Sequence, residues 1–131
     1  MASDFLLDTS VIIDAINSRN RRTEILDGLL AQGTLLGCCS INITEVYMGM
    51  RPNETARTEK FLRSLEFYPV TWEIAKYARE LYSQCRSQGN TVGMADATIA
   101  AVALSNRLVL VTDNQKHFPM TDLQLYPVPA R

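Results

Sequence analysis

Four carboxylates sit where apolar runs give way to polar residues. Asp8 follows Phe5-Leu6-Leu7, Glu45 lies beyond the run from Thr34 to Ile41, Asp96 begins an almost wholly apolar helix, and Asp113 follows Leu108-Val109-Leu110-Val111-Thr112. Held together without compensation, such acids repel and raise one another's pKa, so the arrangement is worth keeping mainly when a divalent cation sits between them. Oxygen-only ligands favour Mg²⁺ or Mn²⁺. Zinc is disfavoured, because it prefers nitrogen and sulfur and the chain offers only His117 and the scattered Cys38, Cys39 and Cys85. The same cation could polarise a phosphate and activate a water for in-line attack, which is hydrolase chemistry.

The elements around these acids predict how they meet. Gly93 to Leu104 has apolar residues all round a helix and should be packed on most sides, so Asp96 at its start needs a specific reason to be there. Phe5 to Leu7 reads as a buried strand that turns into a helix after Asp8. Ile25, Leu26, Leu29 and Leu30 mark a helix stopped by Gly33, and Thr34 to Ile41 reads as a second strand. Ile43, Val46, Tyr47 and Met50 then repeat at helical spacing, with Glu45 expected in the first turn.

Asn53 is placed to cap a further helix carrying Thr58, Phe61, Leu62 and Leu65, and a short strand follows around Phe67 to Val70. Trp72 to Gln88 matches the amphipathic template, with Gly89 as its stop. Leu108 to Val111 reads as a buried strand, and Leu123 to Val128, with Pro127, as an edge strand. Strands alternating with helices imply an α/β fold, a three-layer α/β/α sandwich with a mostly parallel sheet of about four to five strands. Ligands in such folds sit at the carboxyl ends of the strands, where Asp8, Asp113 and the helix carrying Glu45 belong. Asp96 reaches the same rim if the helix from Trp72 to Gln88 lies across rather than alternating direction.

Ordinary explanations compete for each residue. Asp8 serves equally as a helix cap, Asp96 as a partner of the helix dipole, Asn42-Ile43-Thr44-Glu45 as a capping box, and Asp113-Asn114 as turn residues. His117 reads as a solvated loop residue with no evident partner. Arg57, Lys60 and Arg63 read as a wet helix face diluted by Glu54 and Glu59, and Arg19, Arg21 and Arg22 as a similar solvated group. Met48 and Met50 suit gap-filling in the core or a dimer contact.

With 131 residues, 47% of them hydrophobic, the chain suits one globular domain. A net charge of −1 excludes a generally basic nucleic-acid binder, so any such contact must be local. Three cysteines without a CxxC pair fit a reduced, cytoplasmic compartment, and neither a leader at Met1-Ala2-Ser3-Asp4 nor a membrane span is expected.

Taken together, Phe5-Leu6-Leu7-Asp8-Thr9-Ser10-Val11-Ile12-Ile13-Asp14, Ile43-Thr44-Glu45-Val46, Ala95-Asp96-Ala97-Thr98-Ile99-Ala100-Ala101 and Val111-Thr112-Asp113-Asn114 through His117-Phe118 resemble the PIN-domain ribonucleases. The likeness is to VapC-like toxins of type II toxin–antitoxin modules, and it spans nearly the whole chain as one PIN-like domain, 1–131. It implies an acidic metal site of Asp8, Glu45 and Asp96, supported by the Thr9 or Ser10 hydroxyls and by the segment after the last core strand. The fourth position falls to Asp113 or Asn114, with Thr112 beside them. The resemblance further implies Mg²⁺-assisted hydrolysis of an RNA phosphodiester to 5′-phosphate and 3′-hydroxyl ends, a homodimer, and a small antitoxin partner.

Two other classes fit parts of this pattern. A non-catalytic Mg²⁺-binding regulatory domain of the phospho-receiver kind would need a lysine after the last core strand, and Lys116 lies in a different context. A haloacid-dehalogenase-like phosphatase would need an aspartate two residues after Asp8, where Ser10 stands.

Overall fold

The computed structural model describes residues 4–131, so the expectation about a leader at the N-terminus falls partly on residues outside that range. Five strands form one sheet: β1 (Phe5–Leu7), β2 (Leu36–Cys39), β3 (Glu66–Tyr68), β4 (Val109–Thr112) and β5 (Leu125–Pro127). Their order is β3-β2-β1-β4-β5 and every pairing is parallel. The chain builds outward from β1 through β2 to β3, then returns to the other side of β1 for β4. The reversal falls between β1 and β4, and a parallel α/β sheet opens its ligand crevice at such a point.

Helices cover both faces, because successive strand residues face opposite ways. Leu6, Leu110 and Cys39 share one core with α5 (Trp72–Ser87) and α6 (Met94–Ser105). Phe5, Leu7, Cys38 and Val111 share the other with α1 (Thr9–Ile16), α2 (Arg22–Leu30), α3 (Ser40–Gly49) and α4 (Thr55–Arg63). Every residue from Ala97 to Ala103 is buried, as an apolar circumference requires. Full burial of side chains the size of Ile99 and Val102 stabilises by about 1.5–3 kcal/mol each. Its neighbour α5 buries Ile74, Ala78, Leu81 and Cys85 as a single stripe, capped by the Thr71 hydroxyl accepting from Ile74 N at 3.2 Å. Because α5 and α6 pack together on one face, two consecutive helices fill a single crossover from β3 to β4.

Several boundaries differ from those the pattern implies. The second strand stops at Cys39 rather than Ile41, because α3 begins at Ser40, where the Asn42 side chain accepts from Cys39 N at 2.8 Å. Asn42 thus closes the capping box instead of opening it, and Glu45 lies in the second turn of α3. Asn53 caps nothing: a 3₁₀ turn spans Pro52–Glu54, and Glu54 Oε1 accepts from Arg51 N at 2.8 Å ahead of α4. Met48 is exposed rather than in the core, and β5 covers only Leu125–Pro127 of the anticipated segment, at the sheet edge where its proline costs no ladder bond. Arg57 and Arg63 do form a wet face, paired with Glu54 and Glu59.

Gly37 marks the tightest point of the sheet. A Cβ there would run into the Tyr68 ring across the β2–β3 pair, with Cδ2 at 2.8 Å and the Glu66 carbonyl at 3.1 Å. Gly37→Ala should therefore lower unfolding free energy by about 1–3 kcal/mol in urea titrations. The loss should shrink in a Tyr68→Ala background, where the ring no longer has to move.

Candidate active site

Asp8 follows β1 and Asp113 follows β4, the two strands that flank the reversal, and Asp8 N donates to Val111 O at 2.9 Å. Glu45 arrives from α3 and Asp96 from the first turn of α6. All four line one cleft of about 450 Å³, with Thr9, Ser10, Asn114, His117 and Arg131. The helix start and the strand ends thus share one rim, although the acids are scattered along the chain.

Hydroxyl groups hold three of the four acids. Asp8 caps α1 by accepting from Thr9 N at 2.9 Å, and its other oxygen accepts from Thr112 Oγ1 at 2.8 Å. Thr9 Oγ1 donates to Glu45 Oε1 at 2.7 Å and accepts from Asn42 Nδ2 at 3.0 Å. Ser10 Oγ donates to Asp113 Oδ1 at 2.8 Å. Asp96 is the least tethered: among the described residues no hydrogen bond reaches its carboxylate, and His117 Nδ1 approaches it at 3.4 Å. His117 therefore has the partner that its sequence context does not suggest, and its Nε2 lies 3.1 Å from Asn114 Nδ2. Asn114 N itself donates to Thr112 Oγ1 at 3.0 Å.

Electrostatics follow from this crowding. Burial pushes the Asp8 carboxyl up to about 6 against the pull of its two hydrogen bonds, and the charges of Asp96 and Asp113 push the same way. Burial also raises Asp96, with His117 opposing and Glu45 adding to the rise. Oxygen donors with suppressed ionisation suit a hard divalent cation, which would restore their charge. As the side chains stand, however, no three His, Cys, Asp or Glu residues among those described are close enough to share one ion. The chemistry of the donor set fits, and its spacing is open.

Behind the cleft lies a second charged group that sequence reasoning missed. Arg22, expected on a wet face, is completely buried: Nη2 reaches Asp113 Oδ2 at 3.4 Å and Pro129 O at 2.6 Å, Nη1 donates to Asn20 O at 3.1 Å, and Nε lies 3.9 Å from Asp14 Oδ2. Asp14, equally buried, accepts from Asn20 Nδ2 at 2.9 Å and takes a two-pronged contact from Arg131 at 2.9 and 2.7 Å. Burial works to raise the Asp14 pKa, but the hydrogen bonds from Arg131 and Asn20 outweigh it and hold the group below its ordinary value. A carboxylate inside the apolar run Val11-Ile12-Ile13-Asp14-Ala15-Ile16 was the available signal. Asp113 is thus shared between the cleft and two arginines, with Arg131 Nε at 3.8 Å.

A small parallel sheet with an acid-lined crevice at its reversal point places these carboxylates where such folds receive a ligand. Residues 5–122 match the PIN domain family, and the chain belongs to it. It is 30% identical to Ribonuclease VapC19 of Mycobacterium tuberculosis over 91% of this chain and 96% of that one. Identity to Ribonuclease VapC10 of the same organism is 36%, over 93% and 90%. Among solved structures, a chain of VapBC2 from Rickettsia felis, bound to a promoter DNA fragment, superposes with a TM-score of 0.84 at 26% identity, covering 95% of this chain and 98% of that one. The five parallel strands flanked by helices are the α/β arrangement that the sequence pattern implies, and its PIN-like form is what the resemblance implies.

Two outcomes test the electrostatics. Because the folded pKa of Asp8 lies above its unfolded value of 3.8, the stability it contributes is present in full below about pH 4 and lost as pH rises through about 6. Without added metal, Asp8→Asn should therefore be more stable than the parent in denaturant titrations at pH 7, by roughly 3 kcal/mol, a gain that falls away as pH is lowered towards 4. Arg22→Met should cost about 3–5 kcal/mol, read by thermal and urea unfolding, since it leaves Asp14 and Asp113 short of a buried partner.

Proposed function

We propose that this protein is a divalent-metal-dependent endoribonuclease, the toxin of a toxin–antitoxin pair, acting as one PIN domain. The supporting observation is the convergence of Asp8, Glu45, Asp96 and Asp113 on one cleft, in a chain whose relatives over nine-tenths of its length are VapC ribonucleases. We assign Asp8, Glu45 and Asp96 as the residues that would hold the cation, Mg²⁺ or Mn²⁺, with Asp113 completing the acidic wall. Thr9, Ser10 and Thr112 fix the carboxylates that they bond, while Asn114 braces the loop after β4 through Thr112 and His117.

When bound, the cation supplies charge neutralisation and Lewis acidity at the scissile phosphate. The protein supplies position. Asp8 is rigid, both oxygens being engaged, and Glu45 keeps one oxygen free of Thr9. Asp96, whose carboxylate accepts no hydrogen bond among the described residues, is the one free to orient a water and receive its proton during attack on phosphorus. The phosphorus–O3′ bond then breaks, its electron pair leaving with O3′, which takes a proton from solvent to give the 3′-hydroxyl, while the other product carries the 5′-phosphate.

The VapBC2 complex of Rickettsia felis supports an antitoxin partner here. We further read the protein as a cytoplasmic homodimer; no helix is long and apolar enough to cross a membrane among the described residues. Asp96→Asn should abolish cleavage of RNA in Mg²⁺ or Mn²⁺ while raising the melting temperature measured without metal, because it relieves carboxylate crowding. A variant that melts lower and still cuts RNA would remove Asp96 from the site. Mg²⁺ should stabilise the parent by mass action and the variant much less.

A further inference from the structure

An acidic cleft is a poor receptacle for a polyanion unless fixed donors meet the phosphates. Among the described residues lining this cleft, Arg131 is the only lysine or arginine. Its side chain is half exposed, yet one edge is clamped: Nε and Nη2 fork onto Asp14 at 2.9 and 2.7 Å, and Nη2 also donates to Ser10 O at 3.2 Å. The clamp is stiff because Asp14 is itself buried and held by Asn20. Swinging the guanidinium away would forfeit two charge-assisted hydrogen bonds. No hydrogen bond among the described residues uses Nη1, so this half-exposed guanidinium, in the lining of the cleft, keeps two unspent N–H donors.

We propose that Arg131 binds a backbone phosphate of the RNA through Nη1, with Asp14 as the brace that presents it. This rests on the ribonuclease reading above. Bracing matters for two reasons. A guanidinium already immobilised loses little entropy when it engages a phosphate, and its planar fork can serve a carboxylate on one edge and a phosphate oxygen on the other. A purely structural arginine would exist only to neutralise Asp14, but Asn20 and Arg22 already face that carboxylate.

The test is binding of a labelled single-stranded RNA by fluorescence anisotropy across a KCl series, using the full chain with Asp96→Asn so that the RNA stays intact. Adding Arg131→Gln should weaken binding about tenfold at low salt. It should also make the slope of log affinity against log salt shallower by about 0.7, the signature of one lost single-strand phosphate contact, which a structural change would not mimic. Arg131→Lys keeps a charge but cannot grip Asp14 and reach a phosphate together, so it should bind several-fold more weakly than the arginine form. Circular dichroism melts confirm that each variant is folded, and if the glutamine form is not, the lysine form decides. Parent-like affinity in a folded variant would overturn the proposal and leave Arg131 as a counterion of Asp14. If the arginine form binds no RNA and the unsubstituted chain cuts none, the ribonuclease reading falls and takes this inference with it; cleavage with unaltered binding in the variants sinks the inference alone.

Discussion

A guanidinium withdrawn wholly from water is the constraint on which the rest of this structure depends. Arg22 can be buried only because Asp14, Asp113 and the carbonyls of Asn20 and Pro129 surround it. Those partners come from α1, the turn before α2, the end of β4 and the tail beyond β5, so one side chain ties together both ends of the fold. Satisfaction is incomplete, since Nε has no hydrogen-bond partner. The local backbone is strained as well: Ser18, Asn20 and Arg21 hold φ of 53°, 55° and 57°, a region that costs an ordinary residue about 1–2 kcal/mol. That turn is what lets Asn20 offer its carbonyl to Arg22 and its amide to Asp14.

In front of this group, the cleft works by the opposite logic. Behind, each acid meets an arginine; in front, Asp8, Glu45 and Asp96 meet only hydroxyls, an amide and one imidazole. Hydroxyl and amide donors orient a carboxylate without discharging it, so burial, with a smaller push from neighbouring acids, leaves the pKa of Asp8 and Asp96 raised. Asp113 stands at the boundary, with one oxygen on Ser10 and the other facing Arg22. A rim arranged this way sacrifices stability for a standing negative potential, which a cation can discharge.

Much of this arrangement was legible because short-range patterns carry it. Period-two and period-3.6 hydrophobicity located all five strands and α5 and α6, and Gly33 and Gly89 marked stops where φ is +81° and +85°. The boundary of α3 was misplaced by a competing cap: Asn42 bonds back to Cys39, so the helix absorbs Ser40 to Asn42 and shifts Glu45 into the second turn. At α4, Glu54 displaced Asn53 because the proline at 52 starts a 3₁₀ turn first. These errors are local and leave the acids where the topology puts them.

By itself, the sequence determined the alternation of strands and helices, the parallel sheet, and the places of Asp8 and Asp113 at its carboxyl rim, because each depends on periodicity and on chain direction alone; Asp96 reaches that rim only because α5 and α6 share one crossover. Only the tertiary structure decided which charges are buried and what they face. Arg22 sits beside Arg19 and Arg21 in a polar stretch and looks like them, yet it is the one turned inward. Arg131 and Asp14 meet across 117 positions of the chain, and His117 finds Asp96 from the 3₁₀ turn Gln115–His117 that follows β4. A charge's environment is set by groups remote in sequence, through distances and desolvation that no local pattern encodes.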